Sequence, residues 1–178
     1  PQFAGDPIVA ARFLQEAKAA NLVQHPGVVQ IFEFGQFAEG PAYFVMEFLE
    51  GATLDRWLER SALSLDQVNR IVRQVADALD FAHKRGVVHR DIKPSNIMVS
   101  TEGHVTLMDF GLVRASEGAA LTQTGAVMGT PEYMAPEQAQ GTVVDHRADI
   151  YAFGIVVYRL LAGRLPFERN TTPALIHA

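Results

Sequence analysis

The sequence has no cysteine, so it forms no disulfide and no thiolate-ligated metal site. It has three lysines, Lys18, Lys84 and Lys93, and no run of basic residues. With a net charge of -5, it lacks the clustered cations that recruit nucleic acid. Its longest apolar run, Ile150 to Leu161, is too short to span a bilayer and contains Arg159. No signal-peptide pattern opens it. These absences lead to the expectation of a cytoplasmic protein or domain without nucleic-acid partners. What is present is a globular composition, 48% hydrophobic and 20% charged, in 178 residues. That length suits one domain or part of a larger one. The start at Pro1 leads us to expect a piece of a longer chain.

Asp6-Pro7 has the form of an N-cap followed by proline, and Ile8 to about Asn21 carries a helical apolar stripe. Val28 to Phe34 and Ala42 to Leu49 read as strands joined through Glu39-Gly40-Pro41. Ser64 to Gln67 has the form of a capping box. The helix it opens buries Val68, Ile71, Val72, Val75, Leu79 and Ala82 and stops at Lys84-Arg85-Gly86. Ile97 to Ser100 and His104 to Met108 read as short strands, and 114–128 as a mobile loop. Ala148 to Ala162 is apolar almost all round, which predicts a fully buried helix ended by Gly163. The fold class is α+β, a small sheet part joined to a larger helical part near Glu47 to Gly51. His25, His83, His104, His146 and His177 lack metal-ligand spacing and read as structural or exposed.

The stretch His89-Arg90-Asp91-Ile92-Lys93-Pro94-Ser95-Asn96 places an acid, a lysine and an amide close together, with Pro94 blocking a helix. It is followed by Asp109-Phe110-Gly111 and by Gly129-Thr130-Pro131-Glu132-Tyr133-Met134-Ala135-Pro136-Glu137. In this order and spacing the three motifs resemble the signature of eukaryotic-type protein kinases. Thr122-Gln123-Thr124 and Asp145 to Tyr151 look most like the bacterial Ser/Thr branch. The resemblance covers essentially the whole chain.

The resemblance implies a bilobal kinase fold. Residues 1–48 would be the remainder of the small lobe, with helix C and strands 4 and 5. Residues 49–178 would be the hinge and a truncated helical lobe. It implies transfer of the γ-phosphoryl of ATP to protein serine or threonine, with magnesium or manganese. Asp91 would accept or orient the substrate proton, and Lys93 would stabilise the transferring group. Asn96 and Asp109 would hold the metal, a hard ion that prefers oxygen ligands. Met46 would be the gatekeeper, with Glu47 and Leu49 binding adenine through their backbones and Met98 beneath the ring. Glu50 and Asp55 are both candidates for the ribose. Arg90 would pair with phosphorylated Thr122 or Thr124, ranked equally, after self-association and autophosphorylation. Thr130 would bridge Asp91 and Lys93. His89 and Phe110 would belong to the internal spine, Asp149 would hold the catalytic loop, and Glu137 would pair with an arginine beyond the chain.

Two family features are absent from the sequence: the glycine-rich loop over the phosphates and the strand lysine that pairs with a helix glutamate, here Glu16. Lys18 lies on the same predicted helix as Glu16, Lys84 ends another, and Lys93 already has a role. The reading is therefore an internal piece of a catalytic domain, expected to be weakly active or inactive and marginally stable alone. Such a domain also suits a membrane-anchored parent. A pseudokinase or docking module is the alternative, and a small-molecule kinase of the same fold a third. Intact Asp91, Asn96 and Asp109 favour catalysis, and the segment Gly129 to Glu137 favours protein substrates.

Overall fold

A computed structural model describes residues 23–37, 42–60, 62–110 and 131–167. The architecture is α+β, as expected. Strands β1 (Ile31–Gln36) and β2 (Ala42–Met46) form an antiparallel pair, irregular between Ile31 and Glu33. Short strands β3 (Ala52–Thr53), β4 (Ile97–Val99) and β5 (Val105–Leu107) form a second antiparallel sheet in the order β3-β4-β5. Val28, expected to begin a strand, makes instead an isolated parallel bridge with Leu107. Val29 N–H donates to the Leu107 carbonyl at 2.9 Å, and Leu107 N–H donates to Gly27 at 2.8 Å. This ties the approach to β1 onto the second sheet. It also explains the late strand start, because these backbone groups are already spent.

Helix α1 (Leu54–Arg60) was not anticipated. Its signal was short: Asp55 in the first turn, and Leu54, Trp57 and Leu58 on one face. Helix α2 (Leu65–His83) is capped as its sequence predicts. Gln67 N–H donates to Ser64 Oγ at 3.2 Å, while Ser64 N–H donates to Gln67 Oε1 at 2.8 Å. Its buried face holds Val68, Ile71, Val75, Ala78, Leu79 and Ala82, with Val72 half-buried against it. Gly86, at φ 73°, lets the chain leave the helix, with Val87 N–H returning to the Ala82 carbonyl at 3.1 Å.

Helix α3 (Pro136–Ala139) is one turn with proline at its start. Helix α4 (Arg147–Ala162) ends where Gly163, at φ 69°, donates its N–H to the Arg159 carbonyl. The expectation of burial on every side is corrected here. Ala148, Asp149, Ala152, Ile155, Val156 and Leu160 are buried, but Ile150 and Leu161 are exposed. Among the described residues, α4 therefore packs along one stripe, against α2 and the Pro131–Tyr133 turn. The core is continuous, running from Val28 through α1, α2, both strands β4 and β5, and α4.

Candidate active site

The loop from Val88 to Asn96 lies between α2 and β4, and α4 holds it from below. Asp149 is fully buried at the start of α4. Its Oδ2 accepts the His89 N–H at 2.8 Å, and its Oδ1 accepts the Arg90 N–H at 2.7 Å. His83, on α2, places Nε2 2.7 Å from the same Oδ2. Arg90 sits at φ 69°, a region that non-glycine residues seldom occupy. Two hydrogen bonds to a buried carboxylate hold that strained residue. On the other side, Gln138 of α3 donates Nε2 to the Arg90 carbonyl at 2.8 Å and accepts the Ala135 N–H through Oε1. His83, read from the sequence as structural or exposed, is structural, with Asp149 as its partner. Sequence reading missed Gln138, and nothing local marked it, since it acts on a loop far away in the chain.

Asp91, Lys93 and Asn96 converge. Lys93 Nζ lies 2.7 Å from Asp91 Oδ2, and Asn96 Nδ2 donates to Asp91 Oδ2 at 2.9 Å and to its carbonyl at 2.8 Å. Pro94 does more than stop a helix: Pro94–Asn96 is a single 3-10 turn with proline at its first position. That turn swings Asn96 back toward Asp91. One carboxylate oxygen of Asp91 carries both bonds, which leaves Oδ1 as an open acceptor among the described residues.

Asp109 follows β5. The Met108 N–H donates to the Asn96 carbonyl at 2.9 Å, which brings Asp109 beside Asn96. Asp109 is at φ 59°, a conformation that aspartate tolerates better than most residues. His89 is fully buried, and its ring lies 4.4 Å from that of Phe110. His89 Nε2 is 2.8 Å from the Met108 carbonyl and Nδ1 is 3.3 Å from the Asp91 N. These partners require a neutral ring with its proton on Nε2. Burial pushes the imidazole pKa below its usual value, opposed by the charges of Asp149, Asp91 and Asp109 and by the bond to Met108.

At the other wall, Met46 ends β2, and Met46, Phe44, Asp109 and Phe110 line one narrow cavity of about 10 Å³. The Glu47 N–H donates to the Gln30 carbonyl at 2.9 Å, and Glu47 Oε1 accepts the Gln30 N–H at 2.7 Å. Only the Glu47 carbonyl is left on that residue's backbone to meet a ligand. Leu49 lies in the linker that follows, and Met98 is half-buried in β4, opposite Thr53. Of the two ribose candidates, Glu50 is exposed, while Asp55 accepts from Thr53 Oγ1 and from the Arg56 N–H. The Glu137 carbonyl accepts from Thr142. Glu16, Thr122, Thr124 and Thr130 lie outside the described residues, as does the predicted loop 114–128.

The oxygens present fit a magnesium ion that takes most of its ligands from elsewhere. Asn96 uses only its amide nitrogen, which leaves Oδ1 available, and the Asp109 carboxylate has no hydrogen-bond donor among the described residues. Two protein oxygens are few for a cage, and no group of three His, Cys, Asp or Glu able to hold a metal occurs among the described residues. Magnesium held by one or two side chains, with phosphate oxygens and water completing its shell, needs no such group.

The sequence pattern of the family described as protein kinase domain matches residues 5–177. The chain is 45% identical over 175 residues to serine/threonine-protein kinase pkn3 of Myxococcus xanthus, covering 93% of this chain and 32% of that protein. It is 40% identical over 174 residues to the probable serine/threonine-protein kinase PknB of Lactococcus lactis, covering 97% and 28%. PknB of Mycobacterium tuberculosis is 42% identical over 175 residues, covering 94% and 28%. The chain thus spans about a third or less of the length of these relatives. Matched along nearly all its length, the chain belongs to the protein kinase domain family, alongside bacterial serine/threonine-protein kinases.

Proposed function

We propose that these residues form the phosphoryl-transfer centre of an ATP-dependent kinase acting on serine and threonine hydroxyls of proteins. The observation that carries this is the convergence of Lys93 and Asn96 on Asp91 Oδ2. With that oxygen fixed, Oδ1 is left to accept the proton of an incoming hydroxyl, which needs geometry before it needs basicity. Lys93 keeps a cation within reach of the transferred group, where negative charge must be stabilised. Asn96 Oδ1 and the Asp109 carboxylate would hold magnesium, which supplies charge neutralisation at the phosphates when bound. The linker after Met46 would take the adenine, through the Glu47 carbonyl and the Leu49 backbone, with Met98 beneath it. Residues 1–48 and 49–178 are assigned as the small-lobe portion and as the hinge with the helical lobe.

Arg90, Thr122 and Thr124 are assigned to regulation. A phosphothreonine adds roughly -1.5 to -2 charge, enough to order a segment against an arginine. The proposal is tested with the full-length parent protein, MgATP and a serine/threonine-rich protein acceptor. Asp91→Asn should lower the rate by about 10²- to 10⁴-fold, with a folded protein by circular dichroism. An unchanged rate would overturn the assignment. Absent phosphate transfer in the unaltered parent, with ATP still bound, would favour a docking role.

A further inference from the structure

Between α1, α2 and the β4–β5 turn lies another cavity, of about 100 Å³. Trp57, Leu63 and Val99 give it apolar walls, and Arg70 and Glu102 give it charge. Among the described residues, the buried Trp57 indole and the exposed Arg70 guanidinium at this cavity have no protein acceptor. Trp57 Nε1 is buried and makes no hydrogen bond. Among the described residues, the Arg70 guanidinium meets no carboxylate. It lies over the turn, and a Cβ on Gly103 would come within 3.1 Å of Arg70 Nη1. Gly103 is at φ 82°, so the turn beneath Arg70 depends on glycine.

A buried donor without a partner is costly, and a native structure that keeps one invites a ligand that satisfies it. An indole N–H and a guanidinium at one apolar cavity call for an oxygen acceptor beside an apolar group. The volume is small against the 300–1,000 Å³ typical of pockets for free small molecules. It suits a single aliphatic side chain, since about 150 Å³ already admits benzene. Leu65, the first residue of α2, is 76% exposed, so a larger partner finds an apolar residue outside the cavity as well.

We propose that this cavity is a docking site for an acidic peptide segment of a partner protein, its aliphatic side chain filling the cavity and its carboxylate meeting Arg70 and Trp57. The site is separate from the phosphoryl-transfer centre and does not depend on that reading. Glu102 opposes the carboxylate, so Glu102→Gln tightens binding.

In the parent protein, the indole ¹H–¹⁵N resonance of Trp57 is assigned as the one that Trp57→Phe removes. The probes are a blocked peptide, acetyl-Glu-Leu-Asp-Leu-Glu-amide, its counterpart with lysine in place of each acid, and isovalerate. The acidic peptide should move the indole resonance saturably, and the lysine peptide should leave it in place. Arg70→Ala, an exposed change, should weaken binding about tenfold. Trp57→Phe, followed by calorimetry, should weaken it as well. No shift with the acidic peptide, equal shifts with both peptides, or unaltered affinity in Arg70→Ala would overturn the proposal. Saturation by isovalerate at the same concentration as the peptide would overturn the assignment to a peptide.

Discussion

Asp149 and Arg90 are joined by a 2.7 Å hydrogen bond, from a buried carboxylate on α4 to the backbone N–H of a residue at positive φ. The same carboxylate takes the His89 N–H and the His83 ring. It is therefore an anchor through which α4 holds the loop at His89 and Arg90. Asp149→Ala removes three acceptor contacts at once and leaves buried donors unmet. The expected loss is about 2–5 kcal/mol, read by urea denaturation. Asp149→Asn should lose less, because one amide oxygen can keep one backbone bond. Equal stability of the alanine variant would show that the strain at Arg90 is held elsewhere.

The buried His89 predicts how stability responds to acid. Its folded-state pKa is lowered from 6.5, chiefly by burial. Below 6.5 the unfolded chain takes up a proton that the folded ring resists, so the unfolded state binds more protons. Stability is thus full above 6.5 and falls as the pH drops from there toward the lowered folded value. Protonation also removes Nδ1 as the acceptor for the Asp91 N–H. Thermal melts should show a lower midpoint at pH 5.5 than at pH 7.5. His89→Phe, which keeps the packing on Phe110, should flatten that part of the profile.

Gly51 predicts a cost of a different kind. Its φ is 142°, and a Cβ there would approach the Ser100 Cα at 2.9 Å. The linker after β2 thus passes hard against the end of β4, the strand that carries Met98. Gly51→Ala brings both backbone strain and a clash, and should cost about 1–3 kcal/mol. Because Gly51 borders Glu47 and Leu49, ATP affinity should fall as well. Calorimetric ATP binding to the parent protein separates that effect from simple loss of fold.

Much of this was readable beforehand where residues act on near neighbours. The Ser64 box, the stripe on α2 and the stop at Gly86 are local patterns with local causes. So is the Asp91-Lys93-Asn96 group, whose members are close in the chain and are drawn together by the 3-10 turn Pro94–Asn96. What escaped was either short or long-range. Helix α1 has only seven residues, too few for a periodic stripe to stand out. Gln138 reaches the loop and His83 reaches Asp149 across the fold, and no spacing along the chain announces such contacts. Helix α4 misled in the opposite direction: its sequence is apolar almost all round, yet among the described residues only one face is covered.

Gln138 supplies the last prediction. Its amide spans from the Ala135 N–H to the Arg90 carbonyl, so it couples α3 to the backbone just before Asp91. Gln138 touches none of Asp91, Lys93, Asn96 or Asp109 in these contacts, and a change there should act through position alone. Gln138→Ala removes both bonds, while Gln138→Glu keeps the acceptor for Ala135 and loses the donor to Arg90. If placement of Arg90 governs Asp91, both variants should lower kcat in the parent protein and leave the KM for ATP unchanged, by about tenfold for alanine. If Gln138 only caps α3, Gln138→Glu should keep full activity, since the capping bond survives. Steady-state kinetics of the two variants side by side decide between positioning and capping.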